Sequence, residues 1–293
     1  MFKEIKIIGL GFMGASLAGA VKSKLTGTAV KGYDIVKNNI DYCIAKGIID
    51  EPLSLDSGYD NAASENSLVI MCVPPSSIVS FFDEYADFFG GRALITDIGS
   101  VKALIGARAK KNNLTNFVGS HPMCGSDKSG PENSDFSLFN AKKCIVIKEK
   151  EDYADKERSF KIDKIAGFWK SLNMEVIFSE AETHDEITAY TSHLPHLAAF
   201  LLSDTVLSHV KNKKFSSYAS FIGGGFKDST RIASSSPDLW TDIFLMNDEK
   251  IIFSLDNFIA SANSIKGLIE TGDRNGLVSY LKKIYEDRKE AGI

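Results

Sequence analysis

The chain has 293 residues, 44% of them hydrophobic and 25% charged, with a formal net charge of −4. That length calls for two domains with sizeable cores, and the acidic balance excludes non-specific nucleic-acid binding, which needs a basic surface to displace counterions. The most apolar run, 67–73, has strand length and is far too short to span a bilayer, so no membrane partner is expected either. Met1 to Glu4 lead straight into a strand pattern, leaving no room for a signal peptide, and Cys43, Cys72, Cys124 and Cys144 are scattered without CxxC spacing. The expectation is a cytoplasmic protein with reduced thiols.

The first element is the strand Ile5-Lys6-Ile7-Ile8, which runs into Gly9-Leu10-Gly11-Phe12-Met13-Gly14 and a helix pattern over 12–25. A second strand ends in Gly32-Tyr33-Asp34. This is the context a dinucleotide fingerprint requires. Gly9 permits the tight turn, Gly11 lets a pyrophosphate approach bare backbone, and Gly14 lets helix and strand pack closely. Phe12 and Met13 open the helix whose positive end faces the phosphates. Asp34 falls where a carboxylate can accept from both adenosine ribose hydroxyls. Its charge would repel a 2′-phosphate, which favours NAD over NADP, although Lys37 lies near. Further strands are expected near 67–73, 93–97, 116–119, 143–148 and 174–178, with helices over 76–89, 101–112 and 160–172 between them. Strands alternating with helices imply parallel crossovers, so residues 1–179 read as an α/β domain with a Rossmann-type, doubly wound, mostly parallel sheet.

Beyond residue 180 the strand patterns stop, and 180–293 reads as an all-helical C-terminal domain. Thr183-x-x-Glu186 is a capping-box pattern at the head of a long helix running to about Val210. Ser236 before Pro237 is a sound helix start. From Glu249 to Ile269 apolar residues recur with helical period; Gly272 then fits as a stop and Asp273 as the next N-cap. Leu277, Leu281, Ile284 and Tyr285 share a face of the last helix. Helices this apolar either bury their stripes within one chain or form a subunit interface, and a homodimer is the favoured reading.

Four clusters could carry chemistry. Asp97-Ile98-Gly99-Ser100-Val101-Lys102 ends a strand, where ligands of open α/β sheets sit, so Ser100 either reaches a ligand or caps the following helix. Gly119-Ser120-His121-Pro122-Met123-Cys124-Gly125-Ser126-Asp127 places His121 at another strand end, as a general base or as a structural histidine. Thr191-Ser192-His193-Leu194-Pro195-His196 puts His193 and His196 on one helix face, with Pro195 expected to kink the helix. His-x-x-His can supply two metal ligands, but no third ligand has motif spacing, and no metal is expected. The last, Gly223 to Ala233, offers Arg231 as a fork for a carboxylate or as half of a structural salt bridge. Trp240, downstream, reads as core.

Taken together these motifs resemble the prephenate dehydrogenase family, which includes arogenate dehydrogenases. The resemblance spans nearly the whole chain: the glycine turn with Asp34, Asp97 to Lys102, Gly119 to Gly125, Ser192 to His196, and Phe226 to Ala233. It implies NAD-dependent oxidative decarboxylation of prephenate to 4-hydroxyphenylpyruvate in tyrosine biosynthesis, with arogenate as the alternative substrate. His121 is similar to the family's base and Ser100 to the serine that orients it. Arg231 looks like the clamp on the side-chain carboxylate and His196 like a second substrate contact, with His193 as a weaker one. Where members often carry Ala-Gly-Thr-Glu, this loop reads Cys124-Gly125-Ser126-Asp127, which keeps chemical type but shortens the acidic reach. The resemblance also implies that any inhibition by tyrosine acts at the substrate site. A β-hydroxyacid dehydrogenase, a non-catalytic dinucleotide sensor and a methyltransferase are the rival readings. Ser192 to His196 with Ser229 to Ala233 argue against the first, and the second has no need of His121, Ser100 and Arg231 together. The glycine spacing with the long helical half argues against the third.

Overall fold

The structure is a computed structural model, which describes residues 2–55, 66–126, 128–211 and 219–292. The chain divides into two compact units, 1–247 and 248–293. In the first, strands β1 (Glu4–Ile8), β2 (Ala29–Tyr33), β3 (Glu51–Pro52), β4 (Ser67–Met71) and β5 (Leu94–Asp97) form a parallel sheet in the order β3-β2-β1-β4-β5. The order reverses between β1 and β4, which is the switch point where open α/β sheets bind ligands. β1 is in register with both neighbours, Ile8 opposite Tyr33 on one side and Met71 on the other.

Alternation of side chains along β1 and β4 sorts the core onto the two faces of the sheet. Ile5, Ile7, Leu68 and Ile70 face one cluster with Leu17, Val21, Ile165 and Trp169, supplied by helices α1 (Phe12–Lys24) and α6 (Lys156–Ser171). Ile8, Val69 and Met71 face the other, with Ile78, Phe82, Phe89, Ile105 and Phe117. That second layer is built by α3 (Pro75–Glu84), α4 (Ala86–Phe89) and α5 (Ala103–Lys111). Each such side chain, fully buried, contributes roughly 1.5–3 kcal/mol. A short helix α2 (Lys37–Ala45) follows β2; its mixed polarity and single buried residue, Cys43, explain why no helical stripe marks it in the sequence.

The expected strand at 116–119 is only a single parallel bridge, Ile95 to Phe117. The chain then enters β6 (Ser120–Pro122), antiparallel to β7 (Lys143–Ile147), which is parallel to β8 (Glu175–Ser179). Residues 116–119 thus border β5 on one side, and Gly119 accepts from the Ile147 amide on the other. The expected extra strands do form, but as a separate three-stranded sheet, β6-β7-β8, rather than as an extension of the parallel one.

After β8 the fold is helical, as expected, but the capping box is not where the long helix starts. α7 (Ala181–Thr188) begins earlier, at N-cap Glu180. The Ala181 amide is held by the Glu149 carboxylate at 3.1 Å, a cap remote in sequence that no local motif announces. A widened π turn, Ala189–His193, then leads into α8 (Leu194–Lys211). Pro195 sits just past that turn, so the irregularity expected of the proline is realised as one wide turn. α9 (Gly224–Thr230) passes into a 3-10 turn, Arg231–Ser234, and α10 (Pro237–Met246) opens on Ser236, whose hydroxyl accepts from the Leu239 amide. In the second unit, α11 (Asp248–Glu270) and α12 (Arg274–Glu290) are joined by Gly272 at φ 65° and by Asp273, which caps α12 through the Gly276 amide. Ile252, Phe253, Phe258, Leu281, Ile284 and Tyr285 in this unit are exposed.

Candidate active site

The glycine turn behaves as its spacing predicts, and each glycine is required for a different reason. Gly9 has φ 96°, and a Cβ there would lie 2.5 Å from the Cys72 carbonyl oxygen. A Cβ on Gly14 would lie 1.8 Å from the Gly9 carbonyl, so α1 packs on the turn backbone to backbone. A Cβ on Gly11 would meet nothing within 4 Å. Gly11 therefore faces open space at the positive end of α1, a cradle suited to a pyrophosphate. Asp34 does more than wait for a ribose: its carboxylate accepts from the Leu10 amide at 2.7 Å and from the Val36 amide at 2.8 Å. A carboxylate has about four lone-pair sites, so two remain for ribose hydroxyls. Phe12 is buried in the first helical turn and Met13 half-buried. The residues fit a dinucleotide.

Beyond β5 lies a buried polar cluster. Asp97 and Lys102 form an ion pair whose side chains are 0% and 1% exposed. Asp97 also accepts from the amides of Gly99 and Ser120 at 3.0 Å each, and the Lys102 ammonium donates to the Ser120 carbonyl at 2.8 Å. The Ser120 hydroxyl is bonded to the Asp97 carbonyl, to Thr96 and to the Trp169 indole. This network fixes β6, and with it His121, against the end of β5. A buried charge with so many partners is satisfied rather than strained.

His121, half-buried, has its Nδ1 2.8 Å from Nε2 of His184, whose own Nδ1 lies 2.7 Å from the Asp185 carboxylate. The hydrogen-bond partner of the His121 ring is thus His184; a bond to that ring from Ser100, which the resemblance implied, is not made among the described residues. Nor does Ser100 cap α5: the helix begins after Lys102, and Asp185 receives the amides of Lys102 and Ala103 at 2.8 Å each. The Ser100 hydroxyl makes no hydrogen bond to the described residues and stays available to a ligand. Burial, then the neighbouring His184, Lys102 and His193, hold the His121 imidazole well below the usual histidine range, so it is neutral at physiological pH. Burial pushes the Asp185 carboxyl up, but the His184 ring and the two amides outweigh it and leave it below the usual carboxylate range.

The π turn carries His193 inward, where it is buried, with Nδ1 3.2 Å from the Asn247 amide nitrogen. Burial pushes it down to about 4 against the pull of Asp185, and its Nε2 has no hydrogen-bond partner among the described residues. His196 lies flat on Trp240, ring centroids 3.7 Å apart, with Nδ1 on the Ser192 carbonyl at 2.8 Å. Burial, and then the charge of Arg231, lower its pKa. Arg231 is exposed in its 3-10 turn and has no ion-pair partner among the described residues, so the salt-bridge alternative is not realised. Trp240 is core, as read, yet it is also the platform for His196. Ser126 is exposed and accepts from the Lys128 amide at 3.2 Å, whereas Asp127 lies outside the described residues. The Cys124 thiol is pushed up to about 12 by burial, which makes it filler rather than a nucleophile. All four cysteines are free, and the described residues contain no group of side chains that could hold a metal ion.

Sequence reasoning missed His184, Asp185, Asn247 and the Asp97–Lys102 pair. The signal for the first two was present: an adjacent His-Asp on the helix that also carries His193 and His196.

Comparison with known proteins follows the same lines. The family model for the prephenate dehydrogenase nucleotide-binding domain matches residues 17–178, and the model for its dimerization domain matches 180–283. A prephenate dehydrogenase from Bacillus subtilis is 34% identical over 295 residues, covering 98% of this chain and 76% of that one. A cyclohexadienyl dehydrogenase from Zymomonas mobilis is 31% identical, covering 98% and 96%. The crystal structure of prephenate dehydrogenase from A. aeolicus with hydroxyphenyl propionate and NAD+ has a TM-score of 0.85 at 33% identity, covering 99% of both chains. Synechocystis arogenate dehydrogenase, 21% identical with a TM-score of 0.77 over 98% of this chain and 99% of that one, shares the fold. Matched in both halves and along nearly its whole length, the chain belongs to the prephenate dehydrogenase family.

Proposed function

We propose that this protein is an NAD-dependent prephenate dehydrogenase that converts prephenate to 4-hydroxyphenylpyruvate in cytoplasmic tyrosine biosynthesis, acting as a homodimer. Residues 1–179 bind the dinucleotide; residues 180–293 complete the substrate site and form the subunit interface. The observation that carries the reading is a neutral His121 at the sheet's ligand-binding edge, held by His184, together with Arg231, a cation close enough to lower the pKa of His196 and without an ion-pair partner among the described residues. The NAD+-bound A. aeolicus relative supports the cofactor, as do the open Gly11 and the spare lone pairs of Asp34. The dimerization-domain match and the exposed apolar residues of α11 and α12 support the dimer.

NAD, when bound, supplies the acceptor for the hydride leaving C4 of the ring. His121 takes the proton from the C4 hydroxyl as that hydride departs, which a neutral imidazole can do and an imidazolium cannot. Loss of the ring carboxylate as CO2 then aromatises the ring and leaves a phenolate oxygen, to which His121 returns the same proton. No net proton is released, so the base needs no exit path to solvent within a turnover. Arg231 holds the side-chain carboxylate in a two-pronged hydrogen bond, His196 lines the site on its Trp240 platform, and Ser100 and Ser126 offer hydroxyls.

The test is NADH formation by the purified protein with prephenate and, separately, arogenate, with an NADP control. Turnover of prephenate with NAD is expected. A preference for arogenate would keep the chemistry and move the pathway step, and silence with both despite NAD binding would sink the dehydrogenase reading.

A further inference from the structure

The hydrogen bonds around His121 form a directed chain. Asp185 can only accept, so the hydrogen between it and His184 sits on Nδ1 of His184. A His184 ring whose one hydrogen sits there presents a bare Nε2, which must accept from its neighbour 2.8 Å away, Nδ1 of His121. His121 is left with its one hydrogen on Nδ1 and a bare Nε2. We propose that Asp185 and His184 act as a positioning relay that locks His121 in the Nδ1–H tautomer, leaving Nε2 as the atom that takes the substrate proton. The proposal rests on the reading of His121 as the base.

The reverse arrangement would disarm the site. If Nε2 of His184 carried the hydrogen, it would donate to Nδ1 of His121, and the neutral His121 would carry its hydrogen on Nε2, where the base must be bare. The directed chain also survives the reaction: after His121 accepts a proton at Nε2, its Nδ1–H still points at an acceptor, and the bond only strengthens. Asp185 cannot easily turn away, because its two oxygens are held by the Lys102 and Ala103 amides at the start of α5 as well as by His184. Burial keeps water from offering the His184 ring or the Asp185 carboxylate another partner, since each is 1% exposed. The other ionisable groups facing His121 are Lys102 and Asp97 beyond β5, His193 in the π turn and Cys144 on β7. None of these is recorded as a hydrogen-bond partner of the His121 ring.

The experiment uses the full chain with NAD bound. His184→Leu removes the acceptor, and His184→Gln restores a carbonyl oxygen in its place. Turnover in His184→Leu should fall on the order of 10²-fold or more, with substrate KM and NAD affinity within about threefold, and His184→Gln should recover at least about tenfold of the loss. Nitrogen-15 NMR of histidine-labelled protein reads the tautomer directly and does not depend on how well a variant folds: His121 should carry hydrogen on Nδ1 in the parent. Hydrogen on Nε2, or turnover in His184→Leu within twofold of the parent while His121→Asn is inactive, would overturn the relay and leave the base assignment standing. Normal turnover in His121→Asn would remove the base itself, and with it the relay's role.

Discussion

At the scale of single residues, the site combines groups that are already committed with groups that are not. Asp97, Lys102, Ser120 and Asp185 are fully used by the fold, and their exchange would disturb structure first. Arg231 and Ser100 have no side-chain partner among the described residues, and their exchange should register in substrate handling alone. Arg231→Ala is therefore expected to raise the substrate KM by roughly 10- to 100-fold, the worth of a charge-assisted hydrogen-bond pair, with Tm moved by no more than about 1 °C. Steady-state kinetics and a thermal melt on one preparation decide it. A fall in Tm with an unchanged KM would instead make the guanidinium structural. The same distinction explains what could be read from residue types. His121, His196 and Arg231 stand in recognisable strings, whereas His184 serves His121 across 63 positions of chain, a separation that only the fold closes.

At the scale of elements, the glycine turn makes a paired prediction. Gly14→Ala places a methyl group where the Gly9 carbonyl already sits, so α1 must move off the sheet; a loss of several kcal/mol and of NAD binding is expected. Gly11→Ala meets no protein atom, so it should melt like the parent while binding NAD at least tenfold more weakly. Denaturation midpoints with NAD titrations separate the two, and equal behaviour of the variants would refute the division of roles. Elements governed by local rules were legible. Four strands of the parallel sheet, the helix start at Ser236 and the stop at Gly272 all follow from periodicity and capping, whereas the two-residue β3 is too short to show a period. The start of α7 was misplaced because its cap, Glu149, comes from a distant segment, and α5 is capped by Asp185 in the same way. Local sequence carries no trace of a cap borrowed from elsewhere, and the Thr183-x-x-Glu186 pattern within α7 was a false start.

At the scale of the molecule, the buried neutral histidines tie stability to pH. His193 titrates at about 4 in the fold against roughly 6.5 when unfolded, and His121 is shifted in the same direction. A depressed pKa means the folded state resists protonation, so the contribution is complete above about pH 6.5 and is lost as the pH falls toward 4. For His193 alone the loss is on the order of 3 kcal/mol. Urea midpoints measured from pH 7 to pH 4.5 should fall, and His193→Gln should flatten that slope; an unchanged slope would place the acid sensitivity elsewhere.

The π turn at Ala189–His193 has a consequence for how this helix can change. It adds a residue to a path that would otherwise wind evenly from α7 into α8, and each α-helical residue advances the winding by about 100°. The five-residue turn absorbs that extra residue, so His184 and Asp185 before it and His196 after it keep nearly the directions an even helix would give them. Deleting one residue there would let the path close as ordinary α-helix without turning those groups apart. What it would remove is the wide turn itself, and with it the placement of the one histidine that the turn carries.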